Sequence, residues 1–361
     1  MMSEKSKKHV ESCRFCWMCH HICPIGNATG LERNTAKARA LGLSLVNRGA
    51  IELSEVIDNV YECACCGACV TDCVTGWDPV LFTKEARVEA AVEGVLPDYI
   101  SKLVNNCLET GNAYGMTEVD ATLAEVIEAH TEKTDVLLFL GVDAIYKVPT
   151  AAINAIKVLE KAGVRFTVLA KEPASGQQLE YLISAANETK EQMIVCAKEL
   201  NEFAKVVVFD PQDAKVFKRE YKEWGVELTA EVVTFTAYVA ELLKSGVLQA
   251  VNTGKAVVYQ DPFQLARDLG ETAEARDVIN AYAICEEMLC HGKDTMWAGN
   301  ILMNEWMPDV MVRVASDRIN NAKGVKAEVI VTASVSEYSS LKAVEQDDVK
   351  IVALEELVLG L

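Results

Sequence analysis

The chain has 361 residues, of which half are apolar and 24% are charged, a composition typical of a folded protein with two or three hydrophobic cores. Its net charge of -18 argues against nucleic-acid binding, which needs a basic surface to neutralise phosphates. No window holds the roughly 18 uncharged apolar residues of a membrane span, and no export signal follows the basic start. We therefore expect a cytoplasmic protein that touches a membrane only through a partner.

Positive charge is concentrated at the beginning of the chain. Residues 1–50 contain eight Lys or Arg against three Glu, a net charge of +5, so the other 311 residues carry -23. A basic region there would offset the negative charge of metal-thiolate centres. The alternative is a solvated basic tail, which we prefer for Lys5, Lys7 and Lys8.

The thirteen cysteines are expected to be metal ligands or buried apolar residues, because disulfides are rare in proteins without an export signal. Nine of them precede residue 74. The remaining four stand alone and are predicted to be small core residues: Cys107, Cys196, Cys285 and Cys290.

Eight of the early cysteines form two strings of identical C-x2-C-x2-C-x3-C spacing. The first is Cys13, Cys16, Cys19 and Cys23, followed by Pro24, and the second is Cys63, Cys66, Cys69 and Cys73. This spacing is typical of bacterial proteins with two clusters, in which the fourth cysteine ligates the other cluster. It predicts one [4Fe-4S] cluster on Cys13, Cys16, Cys19 and Cys73, and a second on Cys63, Cys66, Cys69 and Cys23.

Zinc is the alternative metal, but zinc sites usually combine two separated C-x2-C pairs and not three cysteines at successive three-residue intervals. Val74 replaces the expected proline after the second string, which removes no ligand. Cys65 is an alternative ligand, although a small packing residue is the simpler interpretation. His20 and His21 could tune a cluster potential or face solvent.

Helical patterns accompany and follow the cysteine strings. They cover residues 34–47, residues 52–61 and a connecting segment from 78 to about 108, which glycines at 111 and 115 terminate. From residue 135, short β-branched runs alternate with amphipathic helices such as 150–162 and 214–224. The predicted strands are 136–140, 165–169, 205–209, 231–235, 256–259, 329–332 and 350–353.

This alternation predicts βαβ units on mostly parallel sheets. The predicted fold class is α+β and α/β: a helical, two-cluster ferredoxin-like domain followed by two Rossmann-like α/β halves. The predicted boundaries are 1–77 for the cluster domain, 78–134 for a helical connector, and 135–250 and 251–361 for the two halves.

The strings and the two halves resemble the iron-sulfur subunits of the heterodisulfide reductase D, glycolate oxidase F and anaerobic glycerol-3-phosphate dehydrogenase C type, over nearly the whole chain. Further matching stretches are ETGNAYG at 109–115, LEKAGVRFTVL at 159–169 and VVYQDPFQLAR at 257–267. The resemblance implies two cysteine-rich CCG modules, one in each half, which in the heterodisulfide reductases bind the clusters of the disulfide-cleaving site.

The CCG cysteines are replaced in this chain. The first CCG corresponds to Ala174, Ser175 and Gly176. In the second module, the family's His-Asp-Pro-Cys becomes Gln260, Asp261, Pro262 and Phe263, its CCG becomes Met296, Trp297 and Ala298 before Gly299, and its last cysteine pair falls on Ala333 to Ser336. Heterodisulfide chemistry is therefore disfavoured, since it needs metal or thiolate at that place.

The pocket in the α/β halves, from which these cysteines are missing, could instead hold another ligand. Polar residues fall near the expected carboxyl ends of the strands, where open α/β sheets bind ligands: Asp261, Arg267, Glu286, Glu287, His291, Asp294 and Asn300. The alternative is that they are solvated loop residues. No G-x-G-x-x-G follows the strand at 136, so a conventional dinucleotide site is not expected.

The sequence favours a non-catalytic electron-transfer subunit of a multi-subunit oxidoreductase. It would relay single electrons between a flavoprotein dehydrogenase and another carrier, such as ferredoxin, an electron-transferring flavoprotein or a quinone-linked protein, with the acidic body as a candidate docking face. The alternative is a catalytic subunit with a flavin or substrate site in the α/β pocket. A third interpretation makes the clusters purely structural, so that they would resist reduction.

Overall fold

A computed structural model describes residues 2–14 and 16–361 of the chain. Up to residue 110, the described residues form helices and turns without a β-strand. The helices are α1 (Glu4–Glu11), α2 (Met18–Ile22), α3 (Pro24–Thr29), α4 (Ala36–Asn47), α5 (Ile57–Tyr61), α6 (Ala68–Thr71), α7 (Pro79–Glu93) and α8 (Asp98–Thr110).

These helices follow the predicted segments, with local interruptions that have physical causes. Helix α4 begins at Ala36 because the Thr35 side chain accepts the Ala38 N–H and caps the helix. The predicted 78–108 segment is two helices, because Gly94 ends α7 with a φ of +69° and Pro97 precedes α8.

The first α/β half contains a three-stranded parallel sheet in the order β1-β2-β3. Leu137 pairs with Val206, and Val206 with Val232. Its elements, with the preceding helix α9, are α9 (Ala121–Glu128), β1 (Val136–Phe139), α10 (Val142–Tyr146), α11 (Pro149–Lys161), α12 (Gln177–Ile183), α13 (Asn187–Leu200), β2 (Lys205–Val208), α14 (Pro211–Lys215), α15 (Tyr221–Glu223), β3 (Glu231–Thr234) and α16 (Phe235–Lys244). A π-helical segment, Val216–Glu220, joins α14 to α15.

The predicted strand at 165–169 is wrong as an extended strand. Only Thr167 pairs with β1: its N–H donates to the Val136 carbonyl at 2.8 Å, and its carbonyl accepts the Leu138 N–H at 2.9 Å. The next N–H, of Val168, donates to the His130 carbonyl instead. The ladder therefore ends after one residue.

The second half contains a four-stranded parallel sheet in the order β5-β4-β6-β7. Its elements are β4 (Ala256–Gln260), α17 (Glu274–Tyr282), β5 (Ile284–Glu286), α18 (Pro308–Gly324), β6 (Val329–Thr332), α19 (Val335–Lys342), β7 (Lys350–Ala353) and α20 (Leu354–Leu359). The sequence did not predict β5, a three-residue edge strand whose side chains are largely exposed and so give no apolar pattern.

One hydrophobic core continues from the first sheet to the second, and residues such as Leu140 and Val331 belong to it. The cysteine-bearing helices lie against both halves: the Tyr61 hydroxyl donates to the Leu182 carbonyl at 2.7 Å, and the Trp306 indole donates to the Tyr61 carbonyl at 3.3 Å. The mixed α/β fold class is confirmed. The ferredoxin-like description and the domain boundaries stay predictions.

Across the described residues, each helix is too short or too polar to cross a bilayer.

Candidate functional site

Two cavities in the helical region are lined by cysteines. The first is lined by Cys13, Cys16 and Cys19 of the first string together with Cys73, the last residue of the second string. Cys16 is exposed, so this cavity lies open at the surface.

The second cavity has the complementary set of thiols. Cys63, Cys66 and Cys69 of the second string line it together with Cys23 of the first, and Cys65 lies beside them. Cys66 is only 8% exposed. Each set of lining thiols thus takes its fourth member from the opposite string.

Local structure explains why Cys23 leaves its own string. Cys23 adopts an extended backbone between α2 and α3, and Pro24 begins α3 at a position where a missing N–H costs nothing. The Cys23 sulfur then accepts the Gly26 N–H at 3.4 Å and lies 3.6 Å from the Asn34 carbonyl. This turn directs the thiol away from Cys19 and toward the second cavity.

The two strings also share an unusual backbone position. The residue after the second cysteine of each string, Trp17 or Gly67, caps the following helix with a left-handed conformation, φ +69° and +75° respectively, and ψ 0° in both. The same turn therefore presents the thiols in both cavities.

Burial makes four of the cavity thiols hard to ionise on their own. It raises the pKa of Cys19 to about 11 and that of Cys23 to about 12, and it also raises the pKa of Cys66 and Cys69. A thiolate there needs compensating positive charge or a bound cationic group.

Two thiols depart from this trend because they accept hydrogen bonds. The Cys65 thiol lowers the pKa of Cys63 well below its usual value, and Arg39 and Arg87 reinforce the effect. Burial opposes ionisation of Cys73, but hydrogen bonds from the Thr75 hydroxyl and nearby backbone outweigh it and lower its pKa.

Two buried arginines supply positive charge to the second cavity. Arg39 lines the cavity at 2% exposure and donates to the carbonyls of Asn59 and Asn34. Arg87 is fully buried and donates to the Cys63 carbonyl at 2.8 Å. Eight thiols in two groups, with cations beside the enclosed group, fit anionic metal-thiolate centres.

The loop of the second string is also held through its carbonyls. Besides Arg87, the Tyr181 hydroxyl donates to the Cys63 carbonyl at 2.9 Å. Arg267, from the second α/β half, donates to the Cys66 carbonyl at 2.8 Å. Both α/β halves therefore fix the position of the enclosed cysteines.

The sequence patterns did not identify Arg39 and Arg87 as site residues. A signal existed: Arg87 lies on the buried face of α7 with Phe82, Ala86 and Ala90, where a lone cation must find a partner. Nothing in the sequence identified that partner, because the carbonyl it binds lies 24 residues away in a loop.

The remaining candidates near the cysteines have other roles. His20 forms a pair with Glu32 at 3.2 Å, and His21 is exposed. In residues 2–14 and 16–361, which contain all thirteen cysteines, no disulfide forms and no three Cys, His, Asp or Glu side chains converge to chelate a single ion.

The positions of the lost CCG cysteines are filled by a buried hydrogen-bond network that joins the two halves. Asp143, in α10 directly after β1, accepts the Ser336 hydroxyl at 2.6 Å and the Tyr114 hydroxyl at 2.6 Å. The Gln212 amide donates to Asp143 and accepts from Asn300. Ser175, in the first CCG position, donates to Asp213.

Apolar and amide side chains fill the second module in the same way. Phe263, Trp297 and Ala298 are buried. Gln260, at the family's histidine position, donates to Glu337 at 3.2 Å and accepts from Arg318. These groups pack and hydrogen-bond with one another.

The polar residues predicted near the strand ends serve several different contacts. Asp261 forms a two-bond pair with Arg276 at 2.7 and 2.9 Å, and Arg276 also binds Glu287. Arg267 holds the cysteine loop, and Asn300 belongs to the Asp143 network. The other three predicted residues are exposed: Glu286, His291 and Asp294.

A scan of protein-family models finds no match. The D subunit of the dihydromethanophenazine:CoB–CoM heterodisulfide reductase of Methanosarcina acetivorans is 25% identical over 97% of this chain and 95% of its own length. The corresponding protein of Methanosarcina mazei is 25% identical over 89% of this chain and 85% of its length.

A more distant match is the probable iron-sulfur-binding oxidoreductase FadF of Bacillus subtilis, 26% identical over 58% of this chain and 32% of its own. Among solved structures, a hypothetical protein of Helicobacter pylori aligns with a TM-score of 0.46 and 12% identity, over 99% of this chain and 72% of that one. The chain is similar over most of its length to heterodisulfide reductase D subunits and over part of it to FadF, in agreement with the predicted resemblance to the CCG-domain family.

Proposed function

We propose that this chain is an electron-transfer subunit of a multi-subunit oxidoreductase, which relays single electrons through two [4Fe-4S] clusters between a flavoprotein dehydrogenase and another carrier. The observation that carries the proposal is the grouping of the eight cysteines. Each of two cavities is lined by three thiols of one string and the fourth thiol of the other.

Cysteine residues of this chain would hold both clusters: Cys13, Cys16, Cys19 and Cys73 the first, and Cys63, Cys66, Cys69 and Cys23 the second. Clusters with four cysteine ligands supply one-electron transfer and leave no coordination position open for a substrate. Arg39 and Arg87 would balance negative charge at the enclosed set, and Tyr181 and Arg267 would hold its loop in place.

The α/β halves support the non-catalytic part of the proposal. Disulfide cleavage requires a thiolate or metal centre at the CCG positions. Here Ser175 and Ser336 occupy such positions and donate to buried aspartates, and Phe263 and Trp297 fill space nearby. The halves therefore act as a scaffold that fixes the cysteine loops.

The names of the relatives agree with a role in an assembly, since the Methanosarcina proteins are named as subunits of a heterodisulfide reductase. We propose a redox protein as partner here as well, with a flavoprotein as electron donor or acceptor.

Anaerobic purification and reconstitution test the proposal. The expected product contains about eight irons and eight acid-labile sulfides per chain, no flavin and no turnover alone. About twelve irons, a stoichiometric flavin or turnover by the isolated chain would favour a catalytic subunit. Stoichiometric zinc with no sulfide would exclude the clusters, and two clusters that dithionite cannot reduce would make them structural.

A further inference from the structure

Exposed apolar side chains surround the mouth of the first cavity. Trp17 and Met18 line the cavity, and Val74 is next to its lining residue Cys73. Lys37, at the start of α4, also lines the cavity. Leu41 and Leu45 follow it at four-residue intervals, so the three side chains lie on one side of the helix. These five apolar residues, each at least 44% exposed, are the docking patch: Trp17, Met18, Leu41, Leu45 and Val74.

The backbone at Trp17 adopts a conformation that is unfavourable for a bulky side chain. Trp17 has a φ of +69°, a region that costs a bulky residue on the order of 1 kcal/mol and glycine almost nothing. The second string has Gly67 at the corresponding position. The Trp17 side chain is 49% exposed, so burial offsets little of this cost. Strain at such a position points to a role at the surface.

Two cations lie beside the docking patch, although the whole molecule is acidic. Arg14 and Lys37 line the cavity, and Lys37 lies 3.2 Å from the centre of the Trp17 ring. Helix α1 also contacts the cavity lining, because its His9 carbonyl accepts the indole N–H of Trp77, another cavity residue, at 2.6 Å. Glu32 offsets part of this charge through Lys37 at 3.6 Å.

We propose that the docking patch binds an acidic single-electron carrier protein, which exchanges electrons with the centre on Cys13, Cys16, Cys19 and Cys73. This proposal rests on the proposed function and adds the surface and the partner's charge. An apolar centre with a charged rim is the usual form of a transient protein interface. The reduced carrier loses one electron, the centre gains it, and no bond or proton is exchanged.

This patch replaces the acidic remainder of the chain, residues 51–361, as the candidate docking face. A net charge of -18 repels an acidic protein at long range, whereas residues 1–50 carry +5. The two charges predict opposite salt effects. Docking at the basic end is weakened by salt, while repulsion by the whole chain is relieved by salt.

An acidic flavodoxin serves as the probe. Its reduced form is mixed anaerobically with the cluster-loaded chain in a stopped-flow instrument, and calorimetry measures association separately. Between about 20 and about 300 mM salt, we expect the second-order rate to fall roughly tenfold. A rate that rises with salt would overturn the proposal.

Three substitutions locate the surface. Arg14→Glu should weaken flavodoxin binding roughly three- to tenfold. Trp17→Gly should weaken it by about tenfold while leaving the melting temperature unchanged or higher, because glycine relieves the left-handed strain. Lys222→Glu makes the same charge change on an exposed residue of the first α/β half and should leave binding within about twofold.

The proposed docking patch would also be contradicted if Lys222→Glu weakened flavodoxin binding as much as Arg14→Glu does, or if Trp17→Gly left flavodoxin binding unchanged. Iron counting and reduction by dithionite are performed on every variant. A chain that loads two clusters but does not bind flavodoxin contradicts the docking patch alone. A chain that binds flavodoxin with the expected salt dependence but holds no cluster contradicts the proposed function and the electron exchange, and supports the docking patch only as a binding surface.

Discussion

Cys23 and Cys63 line the same cavity although 40 positions separate them, whereas Cys23 and Cys19, four positions apart, line different cavities. A substitution at Cys23 should therefore damage the centre built mainly by the opposite string.

We expect Cys23→Ala to reduce the iron content from about eight to about four per chain and to remove the centre on Cys63, Cys66 and Cys69. Cys73→Ala should remove the other centre and leave the enclosed one. Electron paramagnetic resonance of the reduced variants distinguishes the two signals. Cys107→Ala is the matched control, because Cys107 is a buried thiol away from both cavities and its replacement should keep all eight irons. Loss of the Cys13 centre in Cys23→Ala would show that Cys23 ligates the centre of its own string and not that of the opposite string.

Arg39 should raise the reduction potential of the enclosed centre, because a buried positive charge stabilises the more negative, reduced form. Arg39→Met is expected to lower that potential by roughly tens of millivolts, with little change at the open centre. Arg39→Lys keeps the charge and should restore most of the difference. A spectroelectrochemical titration measures both centres, and equal shifts at both would contradict a local effect.

Ser336 should stabilise the junction between the α/β halves without affecting iron. Ser336→Ala removes the hydroxyl that donates to Asp143 at 2.6 Å in a buried network, and it should lower the free energy of unfolding by about 1–3 kcal/mol. Ser339→Ala, on the same helix but partly exposed, should change it by less than about 0.5 kcal/mol. Anaerobic urea titrations provide the comparison. A drop in iron content of Ser336→Ala to half would mean that this network supports a centre.

Glu355 should make stability depend on pH. Burial raises its pKa to about 8, so the folded state holds a proton that the unfolded state releases above its ordinary value of 4.5. The stabilisation is complete below pH 4.5 and is lost as the pH rises through about 8. Relative to the wild type, Glu355→Gln should gain about 1–2 kcal/mol of unfolding free energy between pH 5.5 and pH 9. Urea titrations at both pH values test this, and a difference that does not vary with pH would refute it.

The sequence predicted the parts of this protein that depend on short-range patterns. Six of the seven predicted strands form, because each is a short run containing β-branched residues that the sheet at least partly buries. The grouping of Cys23 with the second string followed from spacing alone, although the ligation itself remains a prediction.

The sequence could not predict what depends on packing between distant segments. The 165–169 run has strand composition, yet the Val168 N–H finds the His130 carbonyl and leaves the sheet. The positions of Asp261 and Arg267 after β4 predict that both belong to one pocket. In the structure, however, Asp261 pairs with Arg276, and Arg267 donates to the Cys66 carbonyl.

The unequal enclosure of the two cavities has a consequence for handling the protein in air. Cys16 is exposed at the first cavity, whereas Cys66 is buried at the second, in a loop held by Tyr181 and Arg267. Oxygen and peroxide attack accessible thiolate and sulfide first. With clusters in place, aerobic damage should proceed in two stages, first to a form with half the iron that retains the enclosed centre, and only later to the iron-free chain.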